Sequence, residues 1–174
     1  MKILCAILFF IMTFMASGCN AEITGTVVDA ETGEPIEGAV VLVEWIITRG
    51  LPGMSYGETY EVKEALTNKE GKVNISDVLN PLVRPPRVTI YKKGYVAWNS
   101  EFIFPDYRKR TDFKRQIGYL FRLEKFKSEY TYVGHTGFID GAIGTGAIEK
   151  KSQMMNAVEW ENKQAGEERR RKLP

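Results

Sequence analysis

The stretch ITGTVVDAETGEPIEGAVVLVEWIIT, residues 23–48, decides the fold of this chain. Residues 23–29 alternate apolar and polar side chains and are rich in β-branched residues, which favours a strand with one buried face. The Thr-Gly-Glu-Pro segment that follows, residues 32–35, is typical of a turn. The apolar run of residues 39–48 then predicts a buried strand rather than a helix, because it is β-branched and bounded by Gly and Pro.

Short strands and turns continue as far as residue 125. Residues 59–67 alternate again, and the hairpin signal at residues 68–71 leads into a strand at 72–75. Further strands are predicted at residues 88–91, 95–98 and 119–123. About seven short strands with no convincing helix between them predict an all-β protein, folded as an antiparallel sandwich.

Residues 23–125 resemble the carboxypeptidase regulatory-like domain, a module with a transthyretin-like (prealbumin-like) β-sandwich. The resemblance rests on a Gly-x-Val-x-Asp motif, a Thr-Gly-x-Pro turn, a Gly-Ala-x-Val motif, a Thr-x-x-x-Gly hairpin and a late Gly-Tyr pair. These fall at Gly25, Val27, Asp29, Thr32, Gly33, Pro35, Gly38, Ala39, Val41, Thr67, Gly71, Gly94 and Tyr95. We interpret every one of them as structural, so the resemblance implies a fold and an accessory module, and no activity.

The first residues are typical of an export signal. A basic start at Lys2 precedes an apolar run over residues 3–14, which is too short to cross a bilayer comfortably. Residues 16–19 resemble a bacterial lipoprotein lipobox. That resemblance implies a signal peptide over residues 1–18 and a lipid, such as palmitate-bearing chains, on Cys19. Ordinary secretion with cleavage after Ala21 is the alternative.

A lipid on Cys19 implies an extracytoplasmic, membrane-anchored protein. Asn20 follows the cysteine, where enterobacterial lipoproteins retained in the inner membrane carry Asp, so the outer membrane is favoured if the envelope is Gram-negative. The other cysteine, Cys5, lies within the signal. The mature chain therefore has no pair to oxidise, and its core alone must hold the fold.

The net charge of the chain excludes few classes of function. The 174 residues include 24 Lys+Arg and 22 Asp+Glu, for a net charge of +2, so nothing global points to nucleic acid. The segment at residues 99–118 is locally basic and rich in aromatics. It suggests a surface for anionic lipid, glycan or another envelope partner, with these candidate residues: Tyr107, Arg108, Lys109, Arg110, Lys114 and Arg115. The alternative is a solvated loop with one or two aromatics in the core.

Catalytic patterns are scarce. His135 is the only histidine, and one histidine cannot supply a two-histidine metal site, so we predict no catalytic residue, no metal and no cofactor. It lies in a Gly-rich stretch that predicts a linker or an edge-covering loop over residues 126–146. Because no partner set for a metal or a triad is visible, His135→Ala should leave stability and any biological role nearly unchanged.

Two further segments have a character of their own. Residues 147–174 are rich in helix formers, with Met154, Met155 and Val158 at helical spacing, and predict a charged helical tail. The hairpin loop at residues 49–57 carries Leu51, Met54 and Tyr56. These either form an exposed contact patch or, as we expect, fold back over the sheet edge.

Together these observations predict a lipid-anchored, non-catalytic binding or structural accessory protein of the cell envelope, with its sandwich at residues 19–125. One alternative is a carbohydrate-binding module, which would need Trp45, Trp98 and Tyr107 on one exposed face. Another is an accessory subunit of an envelope hydrolase or transport complex.

Overall fold

A computed structural model describes residues 22–51 and 53–172. The predicted signal peptide and the predicted lipidation site at Cys19 lie outside the described residues. No helix in the described part of the chain is long and apolar enough to span a membrane.

The described residues form nine strands and two α-helices, with a short 3₁₀ turn at Ile148–Lys150. The elements are β1 Glu22–Asp29, β2 Val40–Arg49, β3 Tyr56–Leu66, β4 Lys72–Ser76, β5 Arg87–Tyr91, β6 Trp98–Asn99, β7 Phe102–Ile103, β8 Arg108–Lys109, β9 Tyr119–Leu123, α1 Tyr132–Ile143 and α2 Ser152–Arg171. The mainly antiparallel β architecture and the C-terminal helix predicted from the sequence are confirmed.

Two sheets form the sandwich. The first has the order β4-β1-β9, and the second has the order β3-β2-β5-β6. All pairs in the second sheet are antiparallel, whereas β1 and β9 run parallel, from Gly25 beside Tyr119 to Asp29 beside Leu123. The prediction of an antiparallel sandwich therefore misses this one pair. A separate ribbon of β7 and β8 lies outside both sheets.

The main core lies between the two sheets. It holds side chains from the inner faces of both: Ile23, Val27, Ile36, Ala39, Val41, Val43, Trp45, Val73, Ile75, Val88, Ile90, Trp98, Phe121 and Leu123. The strand pattern predicts one core of seven residues, and six of them are here: Val27, Val41, Val43, Ile75, Ile90 and Leu123. The seventh, Val96, packs in a second core instead.

The second core lies on the other face of the second sheet, where α1 and α2 cover it. It contains Val40, Leu42, Val62, Tyr91, Ala97, Phe104, Phe138, Ile139, Ile143, Met154 and Val158. Strand β2 is thus buried on both faces, which explains its unbroken apolar run. The molecule has three layers: sheet, sheet and helices.

The interpretation of residues 126–146 as a linker or loop is wrong, because most of them form α1. Thr131 caps the helix by accepting a hydrogen bond from the Gly134 amide. Phe138, Ile139 and Ile143 are buried on one face, and this packing outweighs the cost of roughly 1 kcal/mol for each interior glycine.

The tail is helical, as its composition predicts. Met154 and Val158 face the sheet, with Ala165 further along the same stripe. The first turn of α2 is capped from a distant strand, since the Glu64 carboxylate accepts from the amides of Gln153 and Met154 at 2.9 and 2.7 Å. The helices are therefore part of the folded body.

Candidate ligand-binding cleft

A cleft of about 390 Å³ opens along one side of the sandwich. It lies between β6 and β9, which are the edge strands of the two sheets, and the segment after β6 forms part of its wall. Three arginines line it: Arg108, Arg110 and Arg122. Converging guanidinium groups are typical of surfaces that recognise carboxylate or phosphate.

Arg110 is held rigidly in this wall. Its Nε donates a hydrogen bond of 2.7 Å to the carbonyl of Asn99, and its guanidinium lies 4.6 Å from the ring centroid of Trp98. Nη1 lies 3.3 Å from the carboxylate of Asp112. The side chain is largely buried, so it presents a fixed positive charge whose ordering cost was met on folding.

Arg108 and Arg122 are exposed and much less constrained. Arg108 is 3.9 Å from Asp106, at the outer limit of an ion pair. Sequence reasoning missed Arg122, which occupies an outward position of β9. The sequence does indicate this outward position, because Leu120 and Arg122 alternate with the buried Phe121 and Leu123.

Acidic side chains also line the cleft. They are Asp112 and Glu124, and their negative charges lie beside the three arginines. Tyr119 lies on the wall as well, where burial, followed by the nearby Asp112 carboxylate, raises the pKa of its hydroxyl. The two carboxylates therefore offset part of the positive charge of the cleft.

The predicted basic residues do not come together as one surface. Arg108 and Arg110 line the cleft, and Lys109 is exposed beside them. Tyr107 packs on Phe138 of α1, with a ring centroid distance of 5.4 Å. Arg115 pairs with Asp77 at a different end of the molecule. Lys114, the residue before Arg115 in the chain, is exposed.

Aromatic side chains of this segment mostly anchor it, as the alternative interpretation holds. Phe104 is buried in the second core, and Phe113 packs edge-on against Trp98 at 5.2 Å. The carbohydrate-binding alternative loses its platform for the same reason, because Trp45 and Trp98 are both buried in the main core.

His135 is fully buried on α1 and makes two hydrogen bonds. The backbone amide of Ala97 donates to its Nε2 at 2.8 Å, so Nε2 carries no hydrogen. Nδ1 therefore carries the proton and donates to Glu161 at 2.5 Å. Burial, followed by the Glu161 carboxylate, also raises the pKa of the neighbouring Tyr91 hydroxyl. His135 therefore links α1, α2 and the segment before β6, and this placement argues against the expectation that it is dispensable for stability.

A second buried cluster, of charged side chains, also joins the second sheet to the helices. Glu44 of β2 lies 2.6 Å from Nζ of Lys151, and Arg87 donates to its other oxygen at 2.8 Å. Lys151 also donates to the carbonyl of Ile143 at the end of α1. The lone acidic residue in an apolar run was the only sequence signal for this cluster.

Within residues 22–51 and 53–172, no three His, Cys, Asp or Glu side chains are grouped so as to hold a metal ion. No protein-family model matches this chain, and neither does any curated protein with which it was compared. The resemblance to the carboxypeptidase regulatory-like domain accordingly remains a prediction.

Proposed function

We propose that this protein is a non-catalytic accessory protein of the cell envelope that binds an anionic partner in the cleft between β6 and β9. The observation that supports this most is Arg110, which is fixed over Trp98 in a cleft that two exposed arginines also line. A charge positioned in advance recognises a ligand without further ordering cost. The partner would be an envelope glycan, a lipid headgroup or an acidic segment of another protein.

The choice of a binding role over catalysis rests on how the interior polar groups are used. His135, Glu161, Glu44 and Lys151 are the residues best suited to acid–base chemistry, and all four are buried between the sheet and the helices. Their hydrogen bonds and ion pairs join secondary structure elements. The cleft offers arginines instead, which suit recognition better than proton transfer.

The remaining parts of the proposal concern fold type and location. We propose a transthyretin-like sandwich, supported by the family motifs and by the two-sheet arrangement around one core. We also propose that Cys19 carries the lipid anchor and that the protein is extracytoplasmic, in the outer membrane where the envelope is Gram-negative. The support is the apolar run and the small residues before the cysteine.

Binding of polyphosphate and of polygalacturonate, compared by isothermal titration, tests the cleft. We expect Arg108→Ser and Arg122→Ser each to weaken binding, and added salt to weaken it further, because exposed charges are screened. Lys69→Ser is the matched control, since Lys69 is an exposed cation in the distant β3–β4 turn. Equal affinity of all three variants, or binding that ignores salt, would contradict the proposal.

A further inference from the structure

Six large apolar side chains of the described residues stand out by their exposure, each at least 62 % accessible to solvent. They are Leu51, Met54, Tyr56, Leu79, Leu82 and Ile117. They come from three separate parts of the sequence: the β2–β3 hairpin, the β4–β5 loop and the segment before β9. The expectation that Leu51, Met54 and Tyr56 fold back over the sheet edge is therefore wrong. A soluble surface rarely gathers such residues without a reason.

Two of these loops meet at the start of β1. Glu22, the first residue of β1, pairs with Ser76, the last residue of β4, and the loop that carries Leu79 and Leu82 follows directly. The amide of Gly118 donates to Thr24 Oγ1 at 2.8 Å, which places Ile117 at the same end.

The third loop, the β2–β3 hairpin, extends from this end as well. Lys63 of β3 donates to the Ser76 carbonyl at 2.9 Å. Ser76 therefore lies beside the middle of the hairpin, and the hairpin tip extends past it. The amide of Arg84 donates to the Ile46 carbonyl at 2.9 Å, and Val83 bridges to Ile47. The hairpin residues beyond Ile47, including Leu51, Met54 and Tyr56, therefore lie beside the Leu79–Leu82 loop.

Cations surround these apolar side chains. Arg84 and Lys114 are exposed here, and neither has a carboxylate within 4.0 Å among residues 22–51 and 53–172. Arg49 and Arg115 lie at the same end but are paired, with Glu58 and Asp77. Exposed apolar groups beside unpaired cations fit the interface of an anionic lipid bilayer.

We propose that this end of the molecule, the Glu22 end, rests on the membrane. The inference rests on the proposed anchor at Cys19, which precedes Glu22 by three residues. Three extended residues reach at most about 11 Å, so a lipid on Cys19 holds this end against the bilayer. The apolar side chains then enter the boundary between headgroups and acyl chains, and Arg84 and Lys114 contact anionic headgroups.

Depth of insertion is the direct test. The lipidated full chain, carrying Cys5→Ala, is given one labelled cysteine at Leu82→Cys or, as the matched control, at Leu66→Cys. Leu66 is also an exposed leucine, but it pairs with Val40 at the opposite end of the hairpin. The samples are reconstituted in vesicles of phosphatidylcholine and phosphatidylglycerol with a polarity-sensitive fluorophore on the cysteine.

We expect the probe at position 82 to shift to the blue and to be quenched by lipids with brominated acyl chains. The probe at position 66 should report water. Equal responses at the two positions, or no quenching at 82, would overturn the proposal. A blue shift at position 82 that grows with protein concentration in the absence of lipid would also overturn the proposal, because it would show that a second copy covers this end.

A second measurement tests this membrane-contacting surface independently of the proposed lipid on Cys19. The mass of the mature N-terminal peptide shows whether Cys19 carries lipid. If it does not, the anchor proposal fails, and vesicle cosedimentation of the unlipidated chain still tests the surface. We then expect Leu79→Ser combined with Leu82→Ser to weaken binding about tenfold or more, and Leu66→Ser to leave it unchanged. Equal binding of the two variants would refute the surface.

Discussion

The backbone amide of Ala97 donates a hydrogen bond of 2.8 Å to Nε2 of His135, across the contact between the second sheet and α1. Ala97 directly precedes β6, and Glu161 of α2 holds the other side of the same ring. One imidazole therefore connects three elements that are distant in sequence.

His135→Ala should lower the free energy of unfolding by about 2–4 kcal/mol. The change leaves the Ala97 amide and the Glu161 carboxylate buried without their partner, and it opens a cavity. Urea unfolding followed by circular dichroism measures it. Lys69→Ala, an exposed substitution, is the control and should stay within about 0.5 kcal/mol of the parent. A His135→Ala protein as stable as that control would contradict the assigned role.

Glu44 and Lys151 should show strong coupling in a double-mutant cycle. Glu44→Met leaves Lys151 buried without its carboxylate, and breaking a buried pair in this way costs about 3–5 kcal/mol. Lys151→Met should cost less, because Arg87 still donates to Glu44 at 2.8 Å. The double variant should lose less than the two single losses added together, because it removes both members of the pair. Equilibrium unfolding of the four proteins supplies the cycle. Additive losses would show that the pair is not coupled.

Asp29 should make stability fall at acid pH. Hydrogen bonds from the Thr32 and Glu31 amides, with smaller help from Tyr95 and Lys125 and against the opposing effect of burial, lower the pKa of Asp29 to about 2 from its ordinary 3.8. The carboxylate therefore stabilises the fold fully above pH 3.8, and this contribution disappears as the pH falls through about 2.

Asp29→Asn should consequently flatten the pH dependence of unfolding in that window. The comparison is the slope of unfolding free energy against pH for the variant and the parent between about pH 4 and pH 2. Glu31→Gln, an exposed neighbour, serves as the control. Equal slopes for Asp29→Asn and the parent would show that Asp29 does not contribute to the loss of stability in acid.

Gly25→Ala should destabilise the first sheet. A Cβ at this position would lie 2.3 Å from Cε2 of Phe121 and 2.7 Å from the Tyr119 carbonyl oxygen, and the latter belongs to the backbone of β9. The strand pair or the Phe121 ring must shift, so we expect a loss of about 1–3 kcal/mol. Thermal unfolding measures it, with Gly166→Ala as a control for glycine replacement, because a Cβ there meets nothing within 4 Å and the backbone has no positive φ. A cost at Gly25 no larger than at Gly166 would contradict this packing.

Cys19→Ser should release the protein from membranes. The prediction follows from the lipobox resemblance, and fractionation with mass analysis of the mature N-terminus checks it. Cys5→Ser is the matched control, since Cys5 lies within the signal. A native terminus at Glu22 without lipid would favour ordinary secretion instead.

Much of the sandwich could be predicted because its strands follow simple periodicity. The alternation in β1 and β9, and the apolar run of β2, each mirror the faces they bury. The parallel pairing of β1 with β9 could not be predicted, because strand order depends on contacts distant in sequence. Helix α1 was missed because Gly134, Gly137 and Gly141 suggested flexibility, while its buried face follows a spacing of three and four.

The candidate site was predicted only in part. The basic segment was correctly recognised as unusual, and Arg108 and Arg110 do line the cleft. The sequence could not show that Arg115 pairs with Asp77, or that Phe113 belongs to the core, because both contacts close long loops. The buried Glu44–Lys151 pair was beyond sequence reasoning for the same reason, with over a hundred residues between its partners.

The central position of β1 in its sheet has a mechanical consequence if the proposed lipid on Cys19 tethers the protein at its amino end. Force on the tether enters at Glu22 and runs along β1, which β4 flanks on one side and β9 on the other. Five register pairs on each side then carry the load in shear, along the strand axis. Peeling an edge strand breaks hydrogen bonds one after another, whereas pulling out this strand must break both rows together. The proposed anchor would therefore attach to a central strand, which resists extraction better than an edge strand does.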